Sequence, residues 1–260
     1  MRRKTAIITG AATGLGSEFA KYLALRVAGD PNTGFEEIWL IDRDAEELRK
    51  TAAVVQKIAG RKDASAPVCR YFSMEFEDDD YKRYLRALLN REKPYITWLI
   101  QCEDLKHDGD FSVHGSAAEA DMVRINCEAL TYICHEALPY FYGESHILLP
   151  TAADAFLPHP GSAVYTASKT YVFSFGLALA KELQHRNIHV TLVCPGMGVS
   201  CMVDHLEDVA GGSDGQMEKM FLAGTKDVVV KAVKDAREGK NISLRIIPTG
   251  ALRAIRAAKA

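Results

Sequence analysis

The chain has 260 residues, of which 48% are hydrophobic, with 32 basic and 34 acidic side chains. A charge so close to balance provides no basic surface for nucleic acid or an anionic membrane, and we expect neither partner. No apolar run is long enough to span a bilayer. The six cysteines include no CxxC pair and the eight histidines show no metal-ligand spacing, so we expect reduced thiols, a cytoplasmic location and no metal site.

The first segment has the order strand, glycine-rich turn and helix. Residues 5–8 are predicted to form a short buried strand, residues 9–16 the turn, and residues 17–27 a helix. Glycine allows a backbone to turn tightly and approach a pyrophosphate, which then lies at a helix N-terminus where amide donors and the dipole favour anions. This order is the context that a dinucleotide site requires, although a plain glycine turn is a common alternative.

The second predicted strand, residues 37–41, is followed by an acidic residue. Asp42 can accept hydrogen bonds from the ribose hydroxyls of NAD, and its charge repels a 2′-phosphate. Arg43 favours NADP instead, but Thr13 leaves the glycine turn without a basic residue. The sequence therefore favours NAD and leaves NADP open. A helix N-cap is the alternative role for Asp42.

Strands and helices alternate along the rest of the chain. Strands are predicted over residues 68–74, 94–100, 146–149, 188–193 and 242–247, and helices over 45–59, 78–90, 117–142 and 226–238, the last capped by Thr225. Without a second composition block, this pattern predicts an α/β fold with a doubly wound, Rossmann-like parallel sheet in three layers, one domain over residues 1–260. Residues 199–221 are weakly patterned and predict a mobile flap near a substrate entrance.

Tyr165 and Lys169 lie four residues apart in a segment apolar enough to be a buried helix. On a helix the two side chains share one face, about one turn apart. A tyrosine, with a reference pKa of roughly 10, is a poor proton donor near neutral pH, and a fixed ammonium group lowers that pKa towards the working range. Such pairs also occur by chance, so a catalytic role depends on the neighbouring motifs.

Together these motifs resemble the short-chain dehydrogenase/reductase family in its compact single-domain branch. The resemblance covers nearly the whole chain and rests on the glycine turn, Tyr165 and Lys169, Asn126 in the long helix, and Pro195 with Gly196 after the sixth strand. It implies that Tyr165 is the general acid/base, that Lys169 lowers its pKa and holds the nicotinamide ribose, and that Asn126 supports a proton-relay water. It also implies an NAD(P)-dependent oxidoreductase that acts on a small alcohol or ketone by direct hydride transfer.

The resemblance further implies a cofactor site and an assembly. The cofactor site would comprise Gly10, Thr13, Gly14, Leu15, Gly16, Asp42, Arg43, Glu75, Tyr165, Lys169, Pro195 and Gly196. Family members commonly pair through the helices that correspond to residues 129–142 and 171–183. We therefore expect a homodimer or a homotetramer.

The chain departs from the family pattern after the fourth strand. The family usually has Asn-Asn-Ala-Gly where this chain has Gln101, Cys102, Glu103 and Asp104. The change adds two potential negative charges beside the ribose of the cofactor, and buried charges there would weaken dinucleotide binding.

A second departure concerns the catalytic serine of the family, which lies thirteen residues before the tyrosine, at Ala152 here. Thr151 is the nearest hydroxyl, and a one-residue shift of the strand end would present it in place of the serine. Losing such a donor commonly lowers the rate by about 10²–10³. A second functional class therefore stays open, a weakened or inactive relative that acts as a nucleotide-binding sensor or an assembly subunit.

Overall fold

A computed structural model describes residues 2–28, 30, 32, 34–60, 67–152, 155, 160–195 and 215–244. Their backbone forms a sheet of seven parallel strands in the order β3-β2-β1-β4-β5-β6-β7. The strands are β1 Lys4–Thr9, β2 Glu37–Asp42, β3 Val68–Ser73, β4 Tyr95–Gln101, β5 Phe141–Pro150, β6 Ile188–Cys194 and β7 Ile242–Leu244. Gly196 and residues 199–214 of the predicted flap lie outside the described residues.

Helices cover both faces of this sheet. They are α1 Gly14–Arg26, α2 Ala45–Ala59, α3 Asp80–Glu92, α4 Ser116–Val123, α5 Leu130–Ala137, α6 Ala163–Leu183 and α7 Gly215–Arg237. One apolar cluster joins the sheet to α3, α5 and α6, and a second joins it to α1, α2 and α7. The fold is therefore the predicted three-layer, Rossmann-like α/β arrangement.

The position of β1 in the sheet determines where a ligand can bind. This strand pairs with β2 on one side and with β4 on the other. The connection after β1 and the connection that leads to β4 therefore run to opposite sides of β1. Ligands of open parallel sheets bind in the crevice outside the carboxyl ends of the strands at such a switch point. The glycine turn follows β1 and the altered segment 101–104 includes the end of β4, so the topology brings both to this crevice.

The long helix predicted over residues 117–142 is interrupted. After α4 the chain forms a π-helical segment, Arg124–Ala129, then α5, and then a 3₁₀ turn, Leu138–Tyr140. Pro139 lies in that turn, where its missing N–H prevents the α-helical hydrogen-bond pattern from continuing. Phe141 and Tyr142 consequently belong to β5, which begins earlier than the predicted residues 146–149.

The last helix also differs from the prediction. Because α7 begins at Gly215, Thr225 lies inside it and is not its N-cap, and residues 215–221 of the predicted flap are helical. Gly224 lies in the interior of this helix. Because glycine is unfavourable inside a helix, the sequence around it does not predict one. The first helix, α1, begins three residues before the predicted start at residue 17, and residues 245–247 of the last predicted strand lie outside the described residues. The remaining predicted boundaries differ by at most two residues, as is usual at helix and strand ends.

Candidate active site

A cavity of about 420 Å³ opens at the carboxyl edge of the sheet. It is lined by Gly10, Thr13, Gly14, Leu15, Gly16, Asp42, Arg43, Cys102, Glu103, Asp104, Pro150, Thr151, Tyr165, Lys169, Pro195 and Thr225. The structure thus brings together every described residue of the predicted cofactor site except Glu75. That side chain is exposed and does not line the cavity, since it follows β3, which lies beyond β2 at the sheet edge.

The glycine turn packs directly against the chain that follows β4. A Cβ atom at Gly10 would lie 2.4 Å from the carbonyl carbon of Cys102, and one at Gly16 would lie 2.0 Å from the carbonyl oxygen of Gly10. The N-cap of α1, Thr13, makes no side-chain cap bond, and the first turn contains no acidic residue. The N-terminal amides of α1 are therefore available to an anion such as a pyrophosphate.

Asp42 is held rigidly at the edge of the cavity. Its Oδ2 accepts a hydrogen bond from the backbone N–H of Ala12 at 2.9 Å, and its Oδ1 accepts one from the N–H of Asp44 at 3.1 Å. The alternative role of Asp42 as a helix cap is wrong, because Asp44 accepts the N–H bonds of Glu46 and Glu47 at the start of α2. Asp42 therefore presents a fixed carboxylate to whatever enters beside the glycine turn.

Arg43, which also lines the cavity, forms an ion pair with Glu77 at 2.5 Å. Sequence analysis missed Glu77, because the pairing joins the end of β2 to the segment after β3. The pair reduces the attraction that Arg43 alone would exert on a phosphate group.

Tyr165 and Lys169 share one face of α6, as their spacing predicts. Both side chains are buried, with 1% and 4% of the residue surface exposed, and the ammonium nitrogen lies 5.5 Å from the centre of the phenol ring. A second lysine, Lys106, lies 5.4 Å from the same ring and pairs with Asp108. Sequence analysis did not anticipate Lys106, which belongs to the loop after β4.

Asp104 contacts both members of this pair. Its Oδ2 accepts a hydrogen bond from the Tyr165 hydroxyl at 3.1 Å, and its Oδ1 lies 2.9 Å from the Lys169 ammonium. The sequence indicated an unusual charge here, because the resemblance places a glycine at this position. It did not indicate that the carboxylate contacts Tyr165 and Lys169. The added charge thus lies at the Tyr165–Lys169 end of the cavity.

The neighbouring carboxyl, Glu103, lies in a different environment. Its side chain is only partly covered, yet its Oε2 atom is fully buried and has no hydrogen-bond partner among the described residues. Burial, followed by repulsion from Asp42, raises the pKa of Glu103 from 4.5 to about 8. The neutral form of this carboxyl is therefore favoured more than in an ordinary glutamate.

Asn126 lies in the π-helical segment and is completely enclosed. Its Oδ1 accepts the backbone N–H of Leu105 at 2.8 Å, while its Nδ2 donates to the Leu105 carbonyl at 2.8 Å and to Ser168 Oγ at 3.1 Å. The side-chain amide thus ties the loop after β4 to α6. Its predicted role beside a relay water stays a prediction.

Ala152, where the resemblance places the family serine, has apolar surroundings. Ala152 is 1% exposed and packs in a small cluster with Met122 and Tyr165. Thr151 lines the cavity, but its hydroxyl donates its proton to the backbone carbonyl of Lys169 at 3.0 Å. In this conformation that proton is not available to a ligand in the cavity.

Other reactive groups lie outside this chemistry. Cys194 is buried, and burial raises the pKa of its thiol to about 11, so it is no nucleophile at neutral pH. Within the described ranges, no three His, Cys, Asp or Glu side chains are grouped to hold a metal ion. None of the helices in the part of the chain that the structure describes is both long and apolar enough to cross a membrane.

Comparison with known proteins identifies the family. A sequence model of short chain dehydrogenases matches residues 4–209. The chain belongs to the short-chain dehydrogenase family. The match begins at β1 and includes the glycine turn, Asn126, Tyr165 and Lys169, and it supports an oxidoreductase with a nicotinamide cofactor.

Individual relatives of this short-chain dehydrogenase are distant. An uncharacterized oxidoreductase of Staphylococcus epidermidis is 25% identical and aligns over 90% of this chain and 92% of its own. A very-long-chain 3-oxoacyl-CoA reductase of Phaeosphaeria nodorum is 28% identical over 72% of this chain but only 53% of its own length. The chain thus spans about half of that fungal reductase.

Solved structures share the fold of this short-chain dehydrogenase. The ketone-specific alcohol dehydrogenase of Comamonas testosteroni has a TM-score of 0.72 at 18% identity, with 98% of this chain and 91% of that chain covered. A short-chain dehydrogenase of Sphingobium yanoikuyae in complex with NADPH has a TM-score of 0.73 at 19% identity, covering 98% and 93%. At these identities the likeness establishes the fold.

The residues of this short-chain dehydrogenase fit a dinucleotide. The glycine turn leaves a cradle beside the uncapped start of α1, and the cavity has the size of ordinary ligand sites, about 300–1,000 Å³. Among the described lining residues, Asp104 contacts both Tyr165 and Lys169, the two groups to which the resemblance gives catalytic roles.

Proposed function

We propose that this short-chain dehydrogenase transfers hydride between NAD and a small alcohol or ketone. The observation that carries the proposal is the convergence of Tyr165 and Lys169, both buried, on the cavity that the glycine turn also lines. The cofactor supplies the hydride chemistry, and the protein supplies binding, orientation and proton transfer.

Each side chain of the site has a role in this proposal. Tyr165 gives a proton to the substrate oxygen in the reducing direction and takes it back in the oxidising direction. Lys169 favours the phenolate by its charge and binds the nicotinamide ribose. Asn126 supports the relay water, and Thr151 replaces the missing serine if its hydroxyl turns away from the Lys169 carbonyl.

The preference for NAD over NADP rests on charge. The carboxylate of Asp42 is fixed by two backbone amides, and Glu77 already engages Arg43. A 2′-phosphate at this end of the cavity would meet the carboxylate of Asp42, and Arg43, the cation that the described residues place there, is already paired. The Sphingobium relative was solved with NADPH, so direct titration of this protein with both cofactors is needed.

The carbonyl chemistry of the relatives supports the proposed reaction, whereas the size of the substrate is our proposal. The named relatives act on carbonyl groups, a bulky ketone in one case and a very-long-chain 3-oxoacyl-CoA in the other. For this chain we propose a small secondary alcohol or its ketone. The five cysteines that the structure describes are free thiols, which supports our proposal of a reducing, cytoplasmic setting.

A second candidate is a nucleotide-binding protein without turnover. The apolar surroundings of Ala152 and the contact of Asp104 with Tyr165 favour it. The two candidates differ in whether the wild-type protein converts any carbonyl substrate, and this difference can be measured.

The test is NADH oxidation over a panel of ketones, together with titration of NAD, NADH, NADP and NADPH. We expect turnover by the wild type and a loss of at least about 10²-fold in Tyr165→Phe, since the phenolic proton is removed. Cofactor affinity should remain nearly unchanged, and Ala152→Ser should raise the rate if Thr151 does not already fill the role.

Tyr171→Phe is the matched control, because Tyr171 lies on the same helix and bonds Thr131 away from the cavity. Turnover that persists in Tyr165→Phe contradicts the assigned mechanism. No turnover by wild type, with a clear gain in Ala152→Ser, favours the second candidate. Equal affinity for NAD and NADP removes the argument from Asp42.

A further inference from the structure

The carboxylate of Asp104 engages two polar groups of the cavity at once. Each of its oxygens contacts one partner, the Tyr165 hydroxyl at 3.1 Å and the Lys169 ammonium at 2.9 Å. Both partners are buried, whereas 37% of the Asp104 side-chain surface is exposed. The contact thus joins two buried groups to a side chain that retains a path to solvent.

The backbone on either side of Asp104 is fixed. Before it, the N–H of Cys102 donates to the Thr9 carbonyl at 3.1 Å, which continues the pairing of β4 with β1. After it, Leu105 exchanges two hydrogen bonds with the side-chain amide of Asn126. The carboxylate is therefore aimed at Tyr165 and Lys169 by its neighbours, and only rotation of its own side chain or a loop movement can release it.

The contact also satisfies a buried charge. An ammonium group removed from water is unfavourable unless it is paired or hydrogen-bonded, and Asp104 is the charged partner that the structure shows for Lys169. A ligand that takes Lys169 must therefore replace this carboxylate with hydroxyl groups, which form weaker bonds to an ammonium than a carboxylate does. The exchange reduces the net affinity of that ligand.

We propose that Asp104 sets the affinity of this protein for its dinucleotide, acting as an internal ligand of Tyr165 and Lys169 that the cofactor must displace. The inference rests on the proposed function, because it assumes that the cofactor ribose and the substrate oxygen use these two groups. Asp104 is thus an affinity-determining residue specific to this chain, at a position where the family usually has a glycine without any side chain.

Two substitutions separate the charge of Asp104 from its volume. Asp104→Asn keeps the size of the side chain but removes the carboxylate, whereas Asp104→Gly removes both. Asp110→Asn is the matched control, because Asp110 is an exposed aspartate of the same loop that does not line the cavity. Each variant is titrated calorimetrically with NAD and with NADH.

We expect NAD and NADH to bind Asp104→Gly at least about tenfold more tightly than wild type, equivalent to about 1.4 kcal/mol. The affinity of Asp104→Asn should lie between those of Asp104→Gly and wild type, and the affinity of Asp110→Asn should equal that of wild type. The full-length proteins are also melted without ligand. Because Asp104→Asn leaves the Lys169 ammonium without its carboxylate, its Tm should fall by several degrees, and the Tm of Asp110→Asn should not change.

Tight binding with equal affinities in wild type, Asp104→Asn and Asp104→Gly overturns this inference and leaves the proposed function intact. An unchanged Tm in Asp104→Asn also overturns it, since the contact would then have no energetic weight. Failure of every variant, including Asp104→Gly, to bind any dinucleotide overturns both this inference and the proposed function.

Discussion

At the scale of single residues, two adjacent carboxyl groups after β4 face one cavity and meet different surroundings. Asp104 contacts the Lys169 ammonium and the Tyr165 hydroxyl, whereas the Oε2 atom of Glu103 is buried with no hydrogen-bond partner among the described residues, near the carboxylate of Asp42. Burial therefore favours the neutral form of Glu103, whereas Asp104 is engaged by an ion pair and a hydrogen bond.

The raised pKa of Glu103 predicts how stability depends on pH. In the unfolded chain this carboxyl loses its proton near its ordinary pKa of 4.5, but in the folded protein only near about 8. Between these values the folded state binds more protons, so the free energy of unfolding falls as pH rises. We expect Glu103→Gln to be more stable than wild type at about pH 9 by roughly 1–3 kcal/mol, and to differ little near pH 5.

Urea denaturation at the two pH values measures this difference. Glu75→Gln is the control, because that carboxyl is exposed and does not line the cavity. If Glu103→Gln and wild type show the same dependence on pH, the buried carboxyl does not titrate as described.

At the scale of elements, the turn between β1 and α1 packs so closely that some of its positions have no room for a side chain. Gly14 has a φ of +52°, but a Cβ there would meet no atom within 4 Å. At Gly16 a Cβ would instead overlap the backbone of Gly10, which no side-chain rotation can relieve. The two glycines are therefore required for different physical reasons.

Alanine at these two positions should reveal the difference. Gly14→Ala places an L-residue in the left-handed region and should lower the free energy of unfolding by about 1–2 kcal/mol. Gly16→Ala forces the start of α1 away from Gly10, and we expect a larger loss, about 3 kcal/mol or more, with dinucleotide binding abolished. Urea denaturation and calorimetric titration measure both effects. Equal losses in the two variants would contradict the steric argument.

At the scale of the whole molecule, α6, one of the two helices expected to pair, presents an exposed aromatic side chain. Tyr171 is 41% exposed, and its ring stacks on Phe175 at 5.9 Å. Such a side chain is suited to pairing with a second copy of the chain about a two-fold axis. The predicted homodimer or homotetramer thus remains our proposal.

Light scattering tests this assembly. We expect a dimer or tetramer at micromolar concentration, and a shift towards monomer in Tyr171→Glu, since a buried, unpaired charge in an interface is unfavourable. Tyr84→Glu is the control, because Tyr84 is 46% exposed on α3, outside the helices expected to pair. A wild-type protein that is monomeric throughout this range would exclude the proposal.

Much of the fold and part of the site could be predicted from the sequence, because they depend on local patterns. The apolar runs of β1, β2 and β4 reflect strands covered on both faces, and the spacing of Tyr165 and Lys169 requires only a helix. The glycine turn was recognisable because its conformation depends on glycine itself. The π-helical segment that carries Asn126 could not be recognised in the sequence, since no local periodicity distinguishes it from an α-helix.

Only the tertiary structure decided which side chains meet in the cavity. Asp104 reaches Tyr165 across 61 residues of sequence, and Arg43 reaches Glu77 across 34, because parallel strands bring their carboxyl ends to one edge. The direction of the Thr151 hydroxyl and the burial of Glu103 Oε2 likewise depend on the packing of α6 and the glycine turn. Residue types and spacings thus determined the chemistry available to this protein, whereas packing determined which of those groups is free to act.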